Sequence, residues 1–348
     1  HFGQSETLTP FLDSLYTRSI SFRNFYSAGI HTNHGLYATL YSFPAMMKRN
    51  LMKGSVIPRY SGLPTVLKEN GYYNLFFMTH EGQYDNMNAF FRTNGYDEVF
   101  SQEDYPADKV VNSFGVQDDF LYDYAIPVLN QRAATGQPFF ATLLSISNHP
   151  PYVIPPFFHP KTSEPETQIV EYADWALRQF FEEARKQPWF DNTIFVLEGD
   201  HGKLVGDAEC ELPESYNHIP LMIYSSRIQP EEKTTFGGQV DIQPTILGLL
   251  NIDYLQNNFG VDLLKEERPC MFYTADNMVV GRNDTLLYLY NYETQQELTY
   301  DIGNGKLNAV PMDDSFLPLK EYSFSMLQSA EFLVKHGKTL NSIPFTQQ

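Results

Sequence analysis

The sequence predicts an α/β fold: a mostly parallel central sheet covered by helices on both faces, followed by a small antiparallel C-terminal lobe. Three observations support this. Up to about residue 268, short apolar runs alternate with segments of helical periodicity, the pattern of βαβ units. From Met271 onward the runs shorten and are separated by polar turns. The composition, 42% hydrophobic and 15% aromatic against 19% charged, supplies a buried core and excludes a disordered or fibrous chain.

In order, Thr9–Leu15 reads as a short helix and Ile20–Tyr26 as a strand. A helix starts near Thr32 and runs through Tyr37 and Leu40. Leu63–Glu69 is helical, Asn70-Gly71 stops it, and Tyr73–Met78 is a buried strand. Asp119–Leu129 is a helix and Phe139–Ile146 an apolar strand. Thr167–Lys186 is the clearest helix, because Val170, Ala173, Leu177, Phe180, Phe181 and Ala184 recur at steps of three or four. Strands Thr193–Leu197 and Ile219–Tyr224 and a helix over Ile242–Leu250 follow. The lobe reads as strands Val279–Arg282, Leu286–Tyr292 and Glu297–Tyr300, then a helix Leu317–Val334. No repeat or Gly/Ser linker divides the chain. Residues 1–268 are therefore taken as one α/β domain, with 269–348 packed on it.

Lys and Arg total 24 against 42 Asp and Glu, a net charge of −18. That balance lacks the electrostatic footprint of a nucleic-acid binder and repels anionic lipid. Attachment to a membrane would need an anchor outside this sequence, since its apolar stretches fall far short of the ~20 residues that span a bilayer. The first residue is His1 rather than Met, which reads as a processed or partial chain. Cys210 and Cys270 fit no metal-binding spacing and read as two reduced buried thiols, with a single disulfide as the alternative.

Ligands of open α/β sheets bind at the carboxyl ends of the strands, so the polar residues there are the candidates for chemistry. Gly199-Asp200-His201-Gly202 follows strand Thr193–Leu197. Adjacent Asp and His at a strand end can offer a carboxylate oxygen and an imidazole nitrogen to one divalent cation; a plain polar turn is the alternative. Thr32 sits in His31-Thr32-Asn33-His34-Gly35 at a helix start. Free N–H groups and the helix dipole there favour an alkoxide and an anionic substrate, although Thr is also a common N-cap. His80, His149 in Ser147-Asn148-His149-Pro150-Pro151, and His218 flank other strands. A single His is more often structural, but several on one sheet edge suggest a site. Tyr84 and Tyr152 are read either as core or as the lining of a sugar or glycerol pocket.

Thr32 opening a helix, Ser147-Asn148-His149, Gly199-Asp200-His201-Gly202, Asn217-His218-Ile219-Pro220 and Val240-Asp241-Ile242-Gln243-Pro244-Thr245 occur in that order. Their order and spacing over nearly the whole chain resemble the extracellular catalytic domain of the lipoteichoic acid synthase-like phosphoglycerol transferases, in the sulfatase branch of the alkaline phosphatase superfamily. The resemblance implies Thr32 as nucleophile and metal ligand, Asp200 and His201 as further ligands, and one divalent ion, usually Mn²⁺, with Mg²⁺ or Zn²⁺ as alternatives. It implies substrate-binding roles for His80, His149 and His218. It also implies an extracytoplasmic, membrane-anchored protein acting on a phospholipid head group or phospho-glycan; the oligomeric state stays open. Such a metal stabilises the alkoxide at neutral pH and offsets charge on the phosphoryl oxygens.

Two departures from the family pattern bear on function. Its carboxylate ligand stands in a Glu-Ser motif, on a first strand that would lie upstream of His1. Glu6 reads as an exposed loop residue rather than a substitute. A Trp-Asn-Arg segment that grips phosphoglycerol in polymerase-type members is replaced by Tyr84-Asp85-Asn86-Met87. Asp85 and Asn86 then stand at the head-group position, where Asp85 could pair with an ammonium such as that of phosphoethanolamine, or simply cap a helix.

The expected activity is metal-dependent transfer of phosphoglycerol, or a similar head group, from a lipid to a glycan or alcohol through a phospho-threonine. A phosphodiesterase or phosphatase, a sulfuric-ester hydrolase, and a non-catalytic module binding head groups or glycans are the alternatives. Sulfate chemistry in this superfamily uses a formylglycine made from Cys or Ser within Cys/Ser-x-Pro-x-Arg. Neither Cys210 nor Cys270 lies in that setting, and Thr32 cannot be converted. With the upstream carboxylate missing, this fragment is expected to bind metal incompletely and to turn over little. Loss of one anionic ligand should weaken Mn²⁺ binding by more than ~100-fold. Calorimetric titration tests this: tight stoichiometric binding by residues 1–348 would mean that another acid, such as Glu6, fills the position.

Overall fold

The computed structural model describes residues 6–54, 56–303 and 305–341. The first elements are α1 (Pro10–Tyr16), β1 (Ile20–Tyr26), α2 (Thr32–Tyr41), α3 (Leu63–Glu69), β2 (Tyr73–Met78), α4 (Met87–Thr93) and β3 (Glu98–Phe100). Next come β4 (Val110–Asn112), β5 (Gly115–Val116), α5 (Asp118–Ala133), β6 (Phe139–Leu144), α6 (Pro165–Ala184), β7 (Phe195–Glu198), β8 (Leu221–Tyr224) and β9 (Glu231–Gly238). The chain ends with α7 (Ile242–Leu249), β10 (Met271–Thr274), β11 (Met278–Arg282), β12 (Leu286–Asn291), β13 (Gln296–Gly303), β14 (Lys306–Ala309) and α8 (Leu317–Lys335).

One sheet has the order β3-β2-β6 and is parallel throughout, with Leu75 opposite both Glu98 and Ala141. A four-stranded sheet has the order β7-β8-β1-β9, and β4 and β5 form a short hairpin. Strands β10 to β14 form an antiparallel meander in sequence order. The α/β class and the antiparallel C-terminal lobe are as expected from the sequence.

Several boundaries differ from expectation for local reasons. Strand β6 stops at Leu144 because the Ile146 and Ser147 amides turn instead to Asp118 Oδ1, at 2.9 and 3.0 Å. Strand β8 begins only at Leu221, after Pro220, which has no N–H to give a ladder. Strand β9, Glu-Glu-Lys-Thr-Thr-Phe-Gly-Gly, lacks an apolar alternation, and only its last three residues are buried. Short pieces such as α4, β3, β10 and β14 are likewise too brief for periodicity to single them out.

The described residues form two compact units. One comprises the segments up to Ser21, Leu67–Val196 and Met222–Glu232. Here Phe76 stacks on Phe91 at 4.2 Å between centroids, Phe77 on Phe100 at 4.8 Å, and Phe11 meets Phe181 at 5.3 Å. Helix α1 has no side-chain cap of its own. Instead the buried Asp174 of α6 accepts from Phe11 N and Leu12 N at 3.0 and 2.9 Å, satisfying amides that a helix start leaves free.

The other unit comprises Phe22–Val66, Leu197–Leu221 and the chain from Lys233 onward. Its largest core cluster gathers Tyr26, Phe236, Met271, Tyr273, Val280 and Leu289. Beside it lies a fully buried ion pair. Asp241 Oδ2 accepts from Arg268 Nε at 2.7 Å and Oδ1 from Nη2 at 2.5 Å. The carboxylate also accepts from Gly238 N and Val261 N, both at 2.9 Å. The guanidinium donates onward to Tyr322 Oη in α8 at 2.7 Å and to the Phe259 carbonyl at 2.5 Å. Both cysteines are free thiols; Cys270 is buried and Cys210 half-buried, a departure from the expectation that both are buried. Burial pushes each up to about 11. Among the described residues no helix is long and apolar enough to cross a membrane.

Two predictions follow from this packing. Arg268→Met should destabilise by ~3–5 kcal/mol, because it strands the Asp241 charge in the core. Urea unfolding midpoints measure this, and a change below 1 kcal/mol would refute it. The second concerns Glu198 at the end of β7. Its Oε1 accepts from Thr39 Oγ1 at 2.5 Å, while Oε2 is sealed from solvent with no hydrogen-bond partner among the described residues. Burial, reinforced by the Asp200 charge, lifts this carboxyl to about 8 against the Thr39 bond, which lowers it. Between 4.5, its ordinary value, and about 8 the folded state therefore holds more protons than the unfolded state, and stability falls as pH rises. In chelated buffer, Glu198→Gln should gain stability over the parent through that window and hold a constant margin above it. Parallel stability–pH curves for the two proteins would refute the assignment.

Candidate active site

Helix α2 begins at Thr32, with His31 in extended backbone as its N-cap and no side-chain cap. Thr32 is therefore the first residue inside the helix rather than the cap, and its hydroxyl is released from capping. That hydroxyl donates to Asp200 Oδ2 at 2.7 Å. The helix can approach the Asp200 loop this closely because position 35 is Gly. A Cβ there would lie 2.4 Å from the Asp200 carbonyl oxygen, well inside contact distance.

His201 Nε2 lies 3.6 Å from the same Asp200 Oδ2. Its Nδ1 is 2.7 Å from the Gly202 carbonyl, an acceptor only, so Nδ1 carries a proton and in the neutral ring Nε2 is the atom with the lone pair. The other Asp200 oxygen accepts from the His201 backbone N–H at 2.9 Å. A hydroxyl, a carboxylate oxygen and an unprotonated imidazole nitrogen thus gather around one point. This donor set suits a borderline divalent cation, and the tautomer of His201 is the one a metal needs. The fit is partial: among the described residues no three His, Cys, Asp or Glu side chains group to hold an ion.

His31 and His34 flank Thr32 in sequence, and their rings lie 5.1 Å apart. His31 Nε2 lies 2.6 Å from Asp276 Oδ1, from the turn after β10. Burial, with the neighbouring His31 second, lowers the buried His34 to about 4, so its ring is neutral at pH 7. Nothing in the sequence marks Asp276 as a partner of a residue 245 positions away. Likewise unmarked is Gln239, whose buried amide bonds the backbone on either side of the Thr32–Asp200 pair.

The remaining histidines lie in different surroundings. His218 Nε2 donates to the Arg23 carbonyl at 2.7 Å, and its ring stacks on Tyr26 at 5.1 Å. His80, Asp85, Asn86 and His149 belong to the other unit and form a neighbourhood of their own. His80 packs against Tyr84 at 4.7 Å, Tyr84 meets Phe114 at 6.4 Å, and Phe114 meets His149 at 4.0 Å. Burial lowers the His80 pKa, leaving a neutral ring whose Nδ1 points to the Glu81 carbonyl at 3.1 Å. The His149 Nδ1 donates to the Pro150 carbonyl at 2.7 Å.

This neighbourhood is positioned by two backbone features. The buried Asp118 holds the chain before His149 through the Ile146 and Ser147 amides. Gly115, at φ +90°, brings the β4–β5 hairpin against Thr79, where a Cβ would sit 1.7 Å from the carbonyl oxygen. Asp85 and Asn86 both adopt positive φ, 51° and 64°, in a 3-10 turn over Tyr84–Asn86 that leads into α4, where Asn86 is the N-cap without a side-chain cap bond. Glu6 is exposed.

Comparison with known proteins agrees with the motif reading. Residues 2–252 match the family described as sulfatase. The chain is 26% identical over 270 residues to lipoteichoic acid synthase 1 of Bacillus subtilis, covering 71% of this chain and 40% of that protein. It is 25% identical over 295 residues to phosphoglycerol transferase I of Xanthomonas campestris, covering 79% and 42%. It thus spans about two-fifths of these curated relatives. A solved structure of a protein in the alkaline phosphatase superfamily from Vibrio parahaemolyticus matches with a TM-score of 0.85 at 27% identity, over 95% of this chain and 82% of that one. The chain belongs to the sulfatase family of the alkaline phosphatase superfamily, with lipoteichoic acid synthases and phosphoglycerol transferases among its homologues.

Proposed function

We propose that this chain is the catalytic part of a divalent-metal-dependent phosphoryl-group transferase. It moves phosphoglycerol, or a similar head group, from a lipid to a glycan or alcohol acceptor. The observation that supports this most directly is the 2.7 Å bond from Thr32 Oγ1 to Asp200 Oδ2, with the His201 Nε2 lone pair beside it. The names of the relatives, lipoteichoic acid synthase 1 and phosphoglycerol transferase I, supply the substrate class.

Thr32, Asp200 and His201 would hold the ion, Mn²⁺ before Mg²⁺ or Zn²⁺. When bound, such an ion lowers the pKa of the hydroxyl and offsets charge on the phosphoryl oxygens. Asp200 orients the Thr32 hydroxyl and accepts its proton. The threonine oxygen then bonds to phosphorus as the phosphorus–oxygen bond to the lipid breaks, the proton held by Asp200 passing to the departing lipid alcohol, which gives a phospho-threonine diester. An acceptor hydroxyl next attacks phosphorus and gives up its proton to Asp200, from which the departing Thr32 oxygen regains it. The positive end of the α2 dipole favours the anionic phosphoryl group. In this reading His80, Asp85, Asn86, His149 and His218 serve head-group recognition; a neutral His offers both a donor and an acceptor to a glycerol hydroxyl. Asp85 in place of a cation favours donors with an ammonium group alongside glycerol. Anchoring to a membrane and an extracytoplasmic location belong to the same proposal.

The test is mass spectrometry of the Thr32 peptide after incubation with phosphatidylglycerol or phosphatidylethanolamine vesicles and Mn²⁺. A head-group adduct on Thr32 is expected. Thr32→Ala should abolish the adduct and cut turnover by roughly a thousandfold or more, while Thr32→Ser keeps part of it. Undiminished turnover in Thr32→Ala would refute the reading.

A further inference from the structure

Gln239 lies in the 3-10 turn Gln239–Asp241 that follows β9, and it is fully buried. Its Oε1 accepts the Ala28 N–H at 2.8 Å. Its Nε2 donates to the Asp200 carbonyl at 2.8 Å and to the Gly199 carbonyl at 3.1 Å. The orientation of this amide is forced. Reversed, it would set an NH₂ against an N–H and an oxygen against two carbonyl oxygens. Each recorded bond of the side chain ends on one of two segments: the loop that leads into Thr32, or the loop that carries Asp200.

These two loops also meet at the Thr32–Asp200 hydrogen bond, between half-buried side chains. A reacting pair needs a spacing held by groups that do not take part in the reaction. The Gln239 amide is placed to supply it. Its own backbone is anchored independently, because Asp241 Oδ2 accepts from Gly238 N and is locked by Arg268. Gly35 completes the fit, since a Cβ there would approach Gln239 Nε2 to 3.0 Å as well as the Asp200 carbonyl.

A second buried amide provides a built-in comparison. The Asn217 side-chain Nδ2 donates to the Ser27 carbonyl at 3.3 Å and to the Gly29 carbonyl at 3.4 Å, and the Asn217 backbone carbonyl accepts from Ser27 N at 2.7 Å. Its Nδ2 bonds thus all end on the Thr32 side, at Ser27 and Gly29. Asn217 braces one loop; Gln239 ties two together.

We propose that Gln239 is a positioning residue that sets the Thr32–Asp200 spacing by cross-bracing their two loops. The proposal rests on the reading of Thr32 and Asp200 as the reacting pair. Gln239→Met keeps length and volume without the three bonds. Gln239→Glu keeps the acceptor for Ala28 but sets a carboxylate oxygen against the two carbonyls. A misplacement of about 1 Å costs roughly 100-fold in rate.

Turnover is followed as diacylglycerol release from phosphatidylglycerol vesicles with Mn²⁺. Both variants should lose roughly 10–100-fold in kcat, with KM within about threefold of the parent, since the amide reaches no substrate position. Hydrogen exchange supplies a readout free of activity. In both variants residues 27–35 and 199–203 should exchange faster together, while Asn217→Ser should speed only 27–30. A kcat within twofold of the parent, a loss confined to KM, or faster exchange in only one of the two segments would overturn the proposal. Thr32→Ala separates the cases. If it retains full turnover, the nucleophile reading fails, whatever Gln239 does. If the parent itself releases no diacylglycerol, hydrogen exchange alone decides the brace.

Discussion

The buried Asp241–Arg268 pair is the interaction from which the candidate active site is built. A carboxylate and a guanidinium taken out of water are tolerated only when every lone pair and proton finds a partner. Here they do. Asp241 takes two backbone amides besides the bidentate guanidinium, and Arg268 reaches Tyr322 of α8 and the Phe259 carbonyl. The directional demands of that network hold the turn between β9 and α7 in place. Gln239 stands on that turn, so a line of hydrogen bonds runs from the C-terminal helix through the ion pair to the backbone beside Thr32 and Asp200.

The chemistry of the site follows from what this scaffold does to local charge. The chain carries a large acidic surplus, yet the acid nearest to Asp200 along β7 is kept neutral by burial near pH 7. Asp200, not Glu198, is the acid that faces the Thr32 hydroxyl. His201 offers its lone pair because the Gly202 carbonyl claims the proton on the other nitrogen. The same device recurs in the other unit, where backbone carbonyls next to His80 and His149 engage their Nδ1 atoms. In each case a carbonyl one residue away sets the tautomer, which makes the ring a defined donor or acceptor before any ligand arrives.

Much of this was legible in the sequence. Strands β1 and β2 and helix α3 were placed at their observed ends; β2 stands out because a buried parallel strand is almost wholly apolar, and Asn70-Gly71 stops α3. The order of motifs marked the family, and Thr32, Asp200 and His201 come together because strand ends in such sheets converge on one edge. The antiparallel meander announced itself by shorter runs and polar turns.

Other features were decided only by tertiary structure. Whether Thr32 caps its helix or addresses an acid depends on where Asp200 lies, 168 residues away, and no local pattern encodes that distance. The His31–Asp276 contact, the Glu198 pKa and the Gln239 bonds arise from burial and from partners distant in sequence. Strand β9 exists through pairing rather than through its own composition. The sequence by itself determined which residues are apolar, which can donate, accept or ligate, and in what order they come. Packing decided which of them are desolvated and which meet, because the strength of a charge or a hydrogen bond depends on what surrounds it.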